Sequence, residues 1–228
     1  MPAFGTLVAT FGVSGNSTLT SNVAVFVSGD SAVQTGDLIF AVFGEQTALT
    51  VSAVADSMGH TYTATNIGTD AGTITGRAFY TRVTSNGSLT SVTATATAST
   101  DNFAFPVAVF EGPFDNPPVD KNIANTTTGS AGAVYTCPAS GALAQAIELV
   151  VGWGARFSGT AFTATSPNLL AIQLAAQTVA QAVIGYQTTI NTSSLAPVFT
   201  SASSAGQSVL GTTTFKLSND VLMGQGIF

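Results

Sequence analysis

The 228-residue sequence predicts an all-β protein, built as an antiparallel β-sandwich of the jelly-roll kind. Short segments rich in Val, Phe, Thr, Ile and Tyr recur along the chain, separated by turn-forming residues. Only 7% of the residues are charged, whereas the hydrophobic content is an ordinary 45%. Cys137 is the only cysteine, so no intrachain disulfide can form and stability is expected to come from a hydrophobic core.

The predicted strands form two series, separated by the proline-rich stretch 112–118, which is predicted to be a turn region. Each strand is rich in β-branched and aromatic residues and bounded by turn residues, as at 56–59. The first series comprises 5–13, 22–28, 37–44, 49–55, 60–66, 76–83, 91–97 and 104–111, and the second comprises 133–137, 147–153, 160–165, 182–190, 196–201 and 209–217.

The segment 169–183 (LLAIQLAAQTVAQAV) is the one stretch with helical propensity, because it is rich in Ala, Leu and Gln. The alternative is a pair of strands joined near Gln177. The strand pair is favoured, since Tyr186 and its flanks match an earlier strand of the chain.

The two series form a faint internal repeat, which predicts a single domain with two pseudo-repeated halves. Asp37–Gly44 also resembles Glu148–Gly154. Four residues of the first half have counterparts 106 residues later, namely Tyr80, Leu89, Val92 and Val109, matched by Tyr186, Leu195, Val198 and Phe215.

One domain is predicted over 1–228, with an N-terminal arm at about 1–12 and a C-terminal tail at about 218–228. An apolar tail that follows the last strand is expected to pack on its own sandwich or on a neighbouring subunit, and the second arrangement is favoured. The candidate assembly contacts are Val221, Leu222, Met223, Ile227 and Phe228.

The interior of the sandwich is predicted from the alternation of apolar residues in the most hydrophobic strands. Trp153 is also expected in the core, because it lies on an apolar strand. The side chains predicted to face inward are Leu38, Phe40, Val42, Val107, Val109, Leu149, Val151 and Val209.

The charge pattern excludes several classes of partner. The net charge is −6, and the five basic residues form no cluster in the sequence, so nucleic-acid and anionic-membrane binding are not expected. No apolar run approaches the roughly 20 residues of a membrane helix, and no secretory signal is visible.

The sequence predicts neither an enzyme nor a cofactor. His60 is the only histidine and lies in a predicted tight turn, and no nucleophile elbow is found elsewhere. One His and one Cys cannot make an ordinary zinc site. Calcium through Asp101, Glu111, Asp115 and Asp120 is a weaker alternative, and no metal site is predicted. Glu45, Glu111 and Glu148 give no preferred pair of glycosidase carboxylates.

The order of several short motifs resembles the β-sandwich domains of tailed-phage virion proteins and bacterial surface proteins. Those domains carry "GD-L-apolar", "D-S-x-G-N-x-Y" and "EL-apolar-G" elements in that order, and His60 stands where Asn is usual. The matching segments span roughly residues 36–217 and are Gly36–Phe40, Asp56–Tyr62, Ala78–Tyr80, Ser91–Thr95, Ala108–Gly112 and Glu148–Gly152.

The resemblance implies structural or binding work without catalytic residues. The favoured role is a head decoration protein of a bacteriophage virion, assembled in the host cytoplasm. Its expected partners are copies of itself, with a trimer favoured, and other virion proteins such as the major capsid protein. The alternative is a carbohydrate-binding or adhesive module of a tail fibre or a bacterial surface protein.

Overall fold

A computed structural model shows an all-β protein and confirms the antiparallel β-sandwich predicted from the sequence. All strand pairs are antiparallel. The jelly-roll connectivity stays a prediction. The structure describes residues 4–15, 31–46, 51–70, 74–96, 103–128, 134–157, 162–164, 171–176, 180–201 and 207–218.

The strands of the described residues are numbered in chain order. Those of the first half are β1 (Leu7–Gly15), β2 (Ser31–Val33), β3 (Leu38–Gln46), β4 (Val51–Asp56), β5 (Thr63–Asp70), β6 (Ile74–Arg82), β7 (Gly87–Leu89), β8 (Val92–Ala96) and β9 (Phe103–Phe110). Those of the second half are β10 (Phe114–Thr128), β11 (Val134–Thr136), β12 (Glu148–Phe157), β13 (Phe162–Ala164), β14 (Ala171–Ala176), β15 (Ala180–Thr188), β16 (Val198–Ser201) and β17 (Gln207–Leu217).

The internal repeat is visible in the strand order of the two large sheets. The first large sheet runs β1-β9-β3-β6-β5, and the second runs β10-β17-β12-β15-β14. Phe40 pairs with Tyr80 in the first sheet, and Val151 pairs with Tyr186 in the second, so the two tyrosines occupy equivalent positions. The two halves therefore repeat the same sheet.

The register corrects one pair of the repeat. Leu38 pairs with Phe110, and Leu149 pairs with Phe215, which makes Phe110 the counterpart of Phe215. The sequence match to Val109 was one residue off, because both faces of these strands are apolar and the pattern of apolar residues therefore does not fix the register.

The sheets stack in four layers, with the two large sheets in the middle. A central core fills the space between the large sheets and includes Phe40, Phe110, Leu149 and Phe215. Outside the first large sheet, β2, β4, β7 and β8 cover a second core. Outside the second, the sheet β11-β16-β13 covers a third core around Phe199. Both large sheets are thus buried on both faces.

All eight side chains predicted to face inward are buried, but they do not share one core. Val107 and Val109 lie in the outer core of the first half, whereas the other six lie in the central core. Trp153 is also completely buried in the central core, as predicted. A sheet covered on both faces has no solvent-exposed side, so the side chains on both faces of its strands are apolar.

Three chain segments clarify the sequence predictions. The stretch 169–183 contains β14 and the start of β15, which pair from Ala171 to Gln181, so the strand pair is confirmed. The strand predicted at 5–13 is present as the edge strand β1, which begins at Leu7 within the stretch also predicted as an N-terminal arm. The turn predicted at 112–118 is wrong beyond its first residues, because β10 begins at Phe114. Proline is tolerated there because β10 is an edge strand with an irregular register.

Candidate functional site

The candidate assembly contacts Val221, Leu222, Met223, Ile227 and Phe228 lie outside the described residues, so their packing stays a prediction. Within the described chain, polar side chains concentrate in three places. These are the turn after β4, a cavity beside that turn, and the loops that precede β3 and β12.

The turn after β4 is organised by one carboxylate. Asp56 Oδ1 accepts hydrogen bonds from the backbone amides of Met58 and His60 at 2.9 and 3.1 Å. Its Oδ2 lies 2.9 Å from His60 Nδ1 and accepts a hydrogen bond from the Tyr62 hydroxyl at 3.0 Å. Gly59 has a φ of 77°, as the predicted turn requires. The conformation of this motif is therefore fixed by hydrogen bonds to Asp56.

The electrostatics of this turn suit a structural role. Burial raises the pKa of Tyr62 far above its ordinary value, and the adjacent Asp56 carboxylate raises it further. The Tyr62 hydroxyl therefore stays a hydrogen-bond donor at neutral pH. His60 Nε2 is buried and has no hydrogen-bond partner among the described residues. No described serine or cysteine makes a hydrogen bond to His60, so a nucleophile–base pair is not assembled here.

A polar cavity of about 340 Å³ lies beside the turn, where the ends of β5 and β6 meet the start of β10. Sequence reasoning missed this site, because its side chains come from positions far apart in the chain. The sequence feature that could have indicated the cavity is Arg82, which is one of only five basic residues and lies two positions after Tyr80. The cavity is lined by Gly59, His60, Thr61, Thr63, Tyr80, Thr81, Arg82, Thr84, Asn116, Pro117 and Pro118.

The loops before β3 and β12 are held by equivalent acids. Asp37 accepts a hydrogen bond from the amide of Gln34 at 2.8 Å, and Glu148 accepts one from the amide of Gln145 at 3.2 Å. Asp37 also accepts a hydrogen bond from the Gly112 amide at 2.8 Å. The backbone carbonyls of the two acids accept amides from equivalent residues, Val83 and Thr189. The acids of the "GD-L" and "EL" motifs therefore hold loops.

The acids considered for catalysis or calcium form no single cluster among the described residues, although Asp120 lies beside Glu148. Asp115 lies 3.6 Å from the ammonium of Lys216, and Asp120 lies 3.2 Å from that of Lys121. Asp101 lies outside the described residues. Among the described side chains, no group of three His, Cys, Asp or Glu could hold a metal ion.

Among the described acids, Glu45 on β3 and Glu148 at the start of β12 are completely buried residues. Burial raises the pKa of Glu45 to about 8. Burial also raises the pKa of Glu148, and the nearby Asp120 acts in the same direction. They belong to different large sheets and are both shielded from solvent, so of the three glycosidase candidates only Glu111, which is half-buried, is accessible to a substrate.

The described surface has few strongly exposed charges, although Lys121, Asp115 and Lys216 keep 25–34% of their side chains accessible. Every charged side chain whose burial the structure describes is buried or half-buried. The exposed described residues are neutral, chiefly Thr, Ser, Asn, Ala and Gly, with Val8, Val134 and Ile190 as large apolar exceptions. Charge is costly to desolvate, so such a surface is suited to being covered by other protein.

Comparisons with protein-family models, with curated proteins and with solved structures found no match. In the described part of the chain, no helix is long and apolar enough to cross a membrane.

Proposed function

We propose that this chain is a non-enzymatic structural protein of a bacteriophage virion, with head decoration as its role. The observation that carries the proposal is the scarcity of strongly exposed charge on the described surface of a stacked β-sandwich. A free monomer with so little surface charge has weak electrostatic protection against association, whereas a subunit within an assembly needs none.

The motifs that resemble phage virion and bacterial surface domains support the same role. Their acids, Asp37, Asp56 and Glu148, accept hydrogen bonds from neighbouring backbone amides. Acids that accept hydrogen bonds in this way keep the conformation of a loop fixed, which suits a rigid structural subunit.

The proposed partners are further copies of this chain, arranged as a trimer, and the major capsid protein. The five apolar residues of the tail, Val221 to Phe228, are the proposed contacts. Mass spectrometry of purified particles tests the location directly, and detection of the chain at a fixed ratio to the capsid protein is the expected result. Absence of the chain from purified particles would contradict the proposal.

Deletion of residues 219–228 tests the tail. We expect the shortened protein to keep its melting temperature, because the described sandwich ends before this segment, and to sediment as a smaller species or bind particles more weakly. The matched control replaces Ile190, an exposed apolar residue outside the tail, with Ser. A full-length protein that sediments as a monomer at micromolar concentration, with particle binding unchanged by the deletion, would overturn the assignment of the tail.

A further inference from the structure

The cavity between the turn after β4 and the start of β10 has the chemistry of a ligand site. Its volume of about 340 Å³ lies at the small end of the range for ligand pockets. Such a space suits a ligand about the size of one sugar ring. The cavity is also built from both halves of the chain, which places it at the junction of the two large sheets.

The lining combines one positive charge with neutral hydrogen-bonding groups. Arg82 is its only Arg or Lys, and none of the lining residues is an Asp or a Glu. The threonine hydroxyls and the amide of Asn116 can donate or accept hydrogen bonds. A site of this kind favours a ligand that carries one negative charge together with several hydroxyl groups.

The guanidinium of Arg82 is held in place for such a role. Its Nε donates a hydrogen bond of 2.8 Å to the backbone carbonyl of Phe114, which fixes the plane of the group. Among the described salt bridges, none pairs Arg82 with a carboxylate. The two terminal nitrogens of the guanidinium have the spacing that matches a carboxylate.

Other lining residues provide apolar surface and a second fixed ring. Tyr80, Pro117 and Pro118 present carbon-rich faces, which suit the less polar face of a sugar. His60 also contributes to the lining, and its buried imidazole is held by Asp56, whose Oδ2 lies 2.9 Å from Nδ1. The turn and Arg82 are thus held in place before any ligand binds, which lowers the entropic cost of binding.

We propose that this cavity binds a carboxylate-bearing sugar, such as a uronic acid unit, through the guanidinium of Arg82 and the amide of Asn116. The proposal is independent of the virion role, because it rests on the cavity alone. Glucuronate is the ligand to be tested. Glucose is the control sugar without a carboxylate, and acetate is the control carboxylate without a sugar ring.

Ligand-observed saturation-transfer NMR on the full chain tests the proposal, because it detects weak binding to a protein of any assembly size. We expect glucuronate to bind at least about 10-fold more tightly than glucose, since a charged hydrogen-bonded pair has roughly that effect on affinity. Acetate is expected to compete only weakly, because it lacks the hydroxyl groups.

Arg82→Gln is expected to weaken glucuronate binding by about 10-fold or more. Arg77→Gln is the matched control, because Arg77 lies on the same strand, donates to one backbone carbonyl and does not line the cavity. It should leave the affinity unchanged. Asn116→Ala removes an exposed side chain, so it should fold normally and bind several-fold more weakly.

Three results would overturn the proposal. The first is the absence of magnetisation transfer from the unmodified protein to glucuronate. The second is a glucose or acetate affinity equal to that of glucuronate. The third is an unchanged glucuronate affinity in folded Arg82→Gln, or in Asn116→Ala should the arginine variant fail to fold.

Discussion

Two oppositely charged residues occupy equivalent positions of the repeat, and both are completely buried. Glu45 pairs with Phe103 in the first large sheet, as Arg156 pairs with Ser208 in the second. The guanidinium of Arg156 donates to the oxygens of Gln181 and Tyr135 at 2.9 and 3.1 Å. The carboxylate of Glu45 has no partner among the described residues, so the neutral acid is the favoured form.

Glu45 is expected to make the protein less stable as the pH rises. Burial raises the pKa of Glu45 from its ordinary value of 4.5 to about 8 in the folded state. Between these values the unfolded chain loses the proton while the folded chain keeps it, so the free energy of unfolding falls with increasing pH. Glu45→Gln should remove this loss and be more stable at pH 8, by on the order of a few kcal/mol.

Thermal unfolding measured from pH 4 to pH 9 checks the prediction for Glu45. Glu111→Gln is the control, because Glu111 is only half-buried. If the melting temperatures of the unmodified protein and Glu45→Gln change with pH in parallel, the carboxylate of Glu45 is not the source of the pH dependence.

Replacing Asp56 is predicted to destabilise the protein more than replacing the neighbouring His60. Asp56→Ala leaves two amides and the Tyr62 hydroxyl without their acceptor, which should cost about 2–4 kcal/mol of stability. His60→Asn should cost about 1 kcal/mol, because asparagine suits the turn and its amide can donate to Asp56. Urea unfolding of both variants measures the difference, and equal losses would disprove the central role of Asp56.

At the scale of elements, the two large sheets approach each other closely where β3 and β6 carry a pair of glycines. Gly44 pairs with Gly76 across these strands. A Cβ added at Gly76 would lie 3.0 Å from the Cβ of Ala155 and 3.1 Å from that of Val209. Small side chains at this contact therefore set the distance between the sheets.

Gly76→Val is predicted to destabilise the protein by about 1–3 kcal/mol, because the added methyl groups have no space between the sheets. Ala53→Val is the matched control, since Ala53 is exposed on β4 and should tolerate the change within about 0.5 kcal/mol. Denaturant unfolding of both variants checks the prediction. A fully stable Gly76→Val protein would mean that the large sheets can move apart without cost.

At the scale of the whole molecule, the two halves depend on one shared core. Phe40 of the first half packs edge-on against Phe215 of the second, and their ring centroids are 5.7 Å apart. Phe110 packs in the same way against Tyr186, at 4.9 Å. Each half has its own outer core, but separation would expose the inner face of both large sheets.

The fragments 1–112 and 113–228 are therefore predicted not to fold alone, because each would expose a large apolar sheet face to water. Mixing them should restore a folded complex. Near-ultraviolet circular dichroism and sedimentation of the separate and mixed fragments provide the measurement. A monomeric fragment 1–112 with a cooperative thermal transition would contradict the dependence on the shared core.

Part of the functional site could be predicted from the sequence and part could not. The turn at 56–59 was predictable, because Asp and Gly at those positions specify local backbone geometry. The cavity was not, since Arg82 and Asn116 belong to different sheets and meet only when the halves pack.

The all-β class, the strand pair within 169–183 and the repeat of two similar halves could be inferred from the amino-acid sequence. These depend on local propensity and on alternation, which are properties of neighbouring residues. The stacking of the halves in four layers and the edge strand at 114–128 became visible only in the folded protein. The physical reason is that strand pairing and burial on both faces depend on contacts between distant segments, which no local pattern specifies.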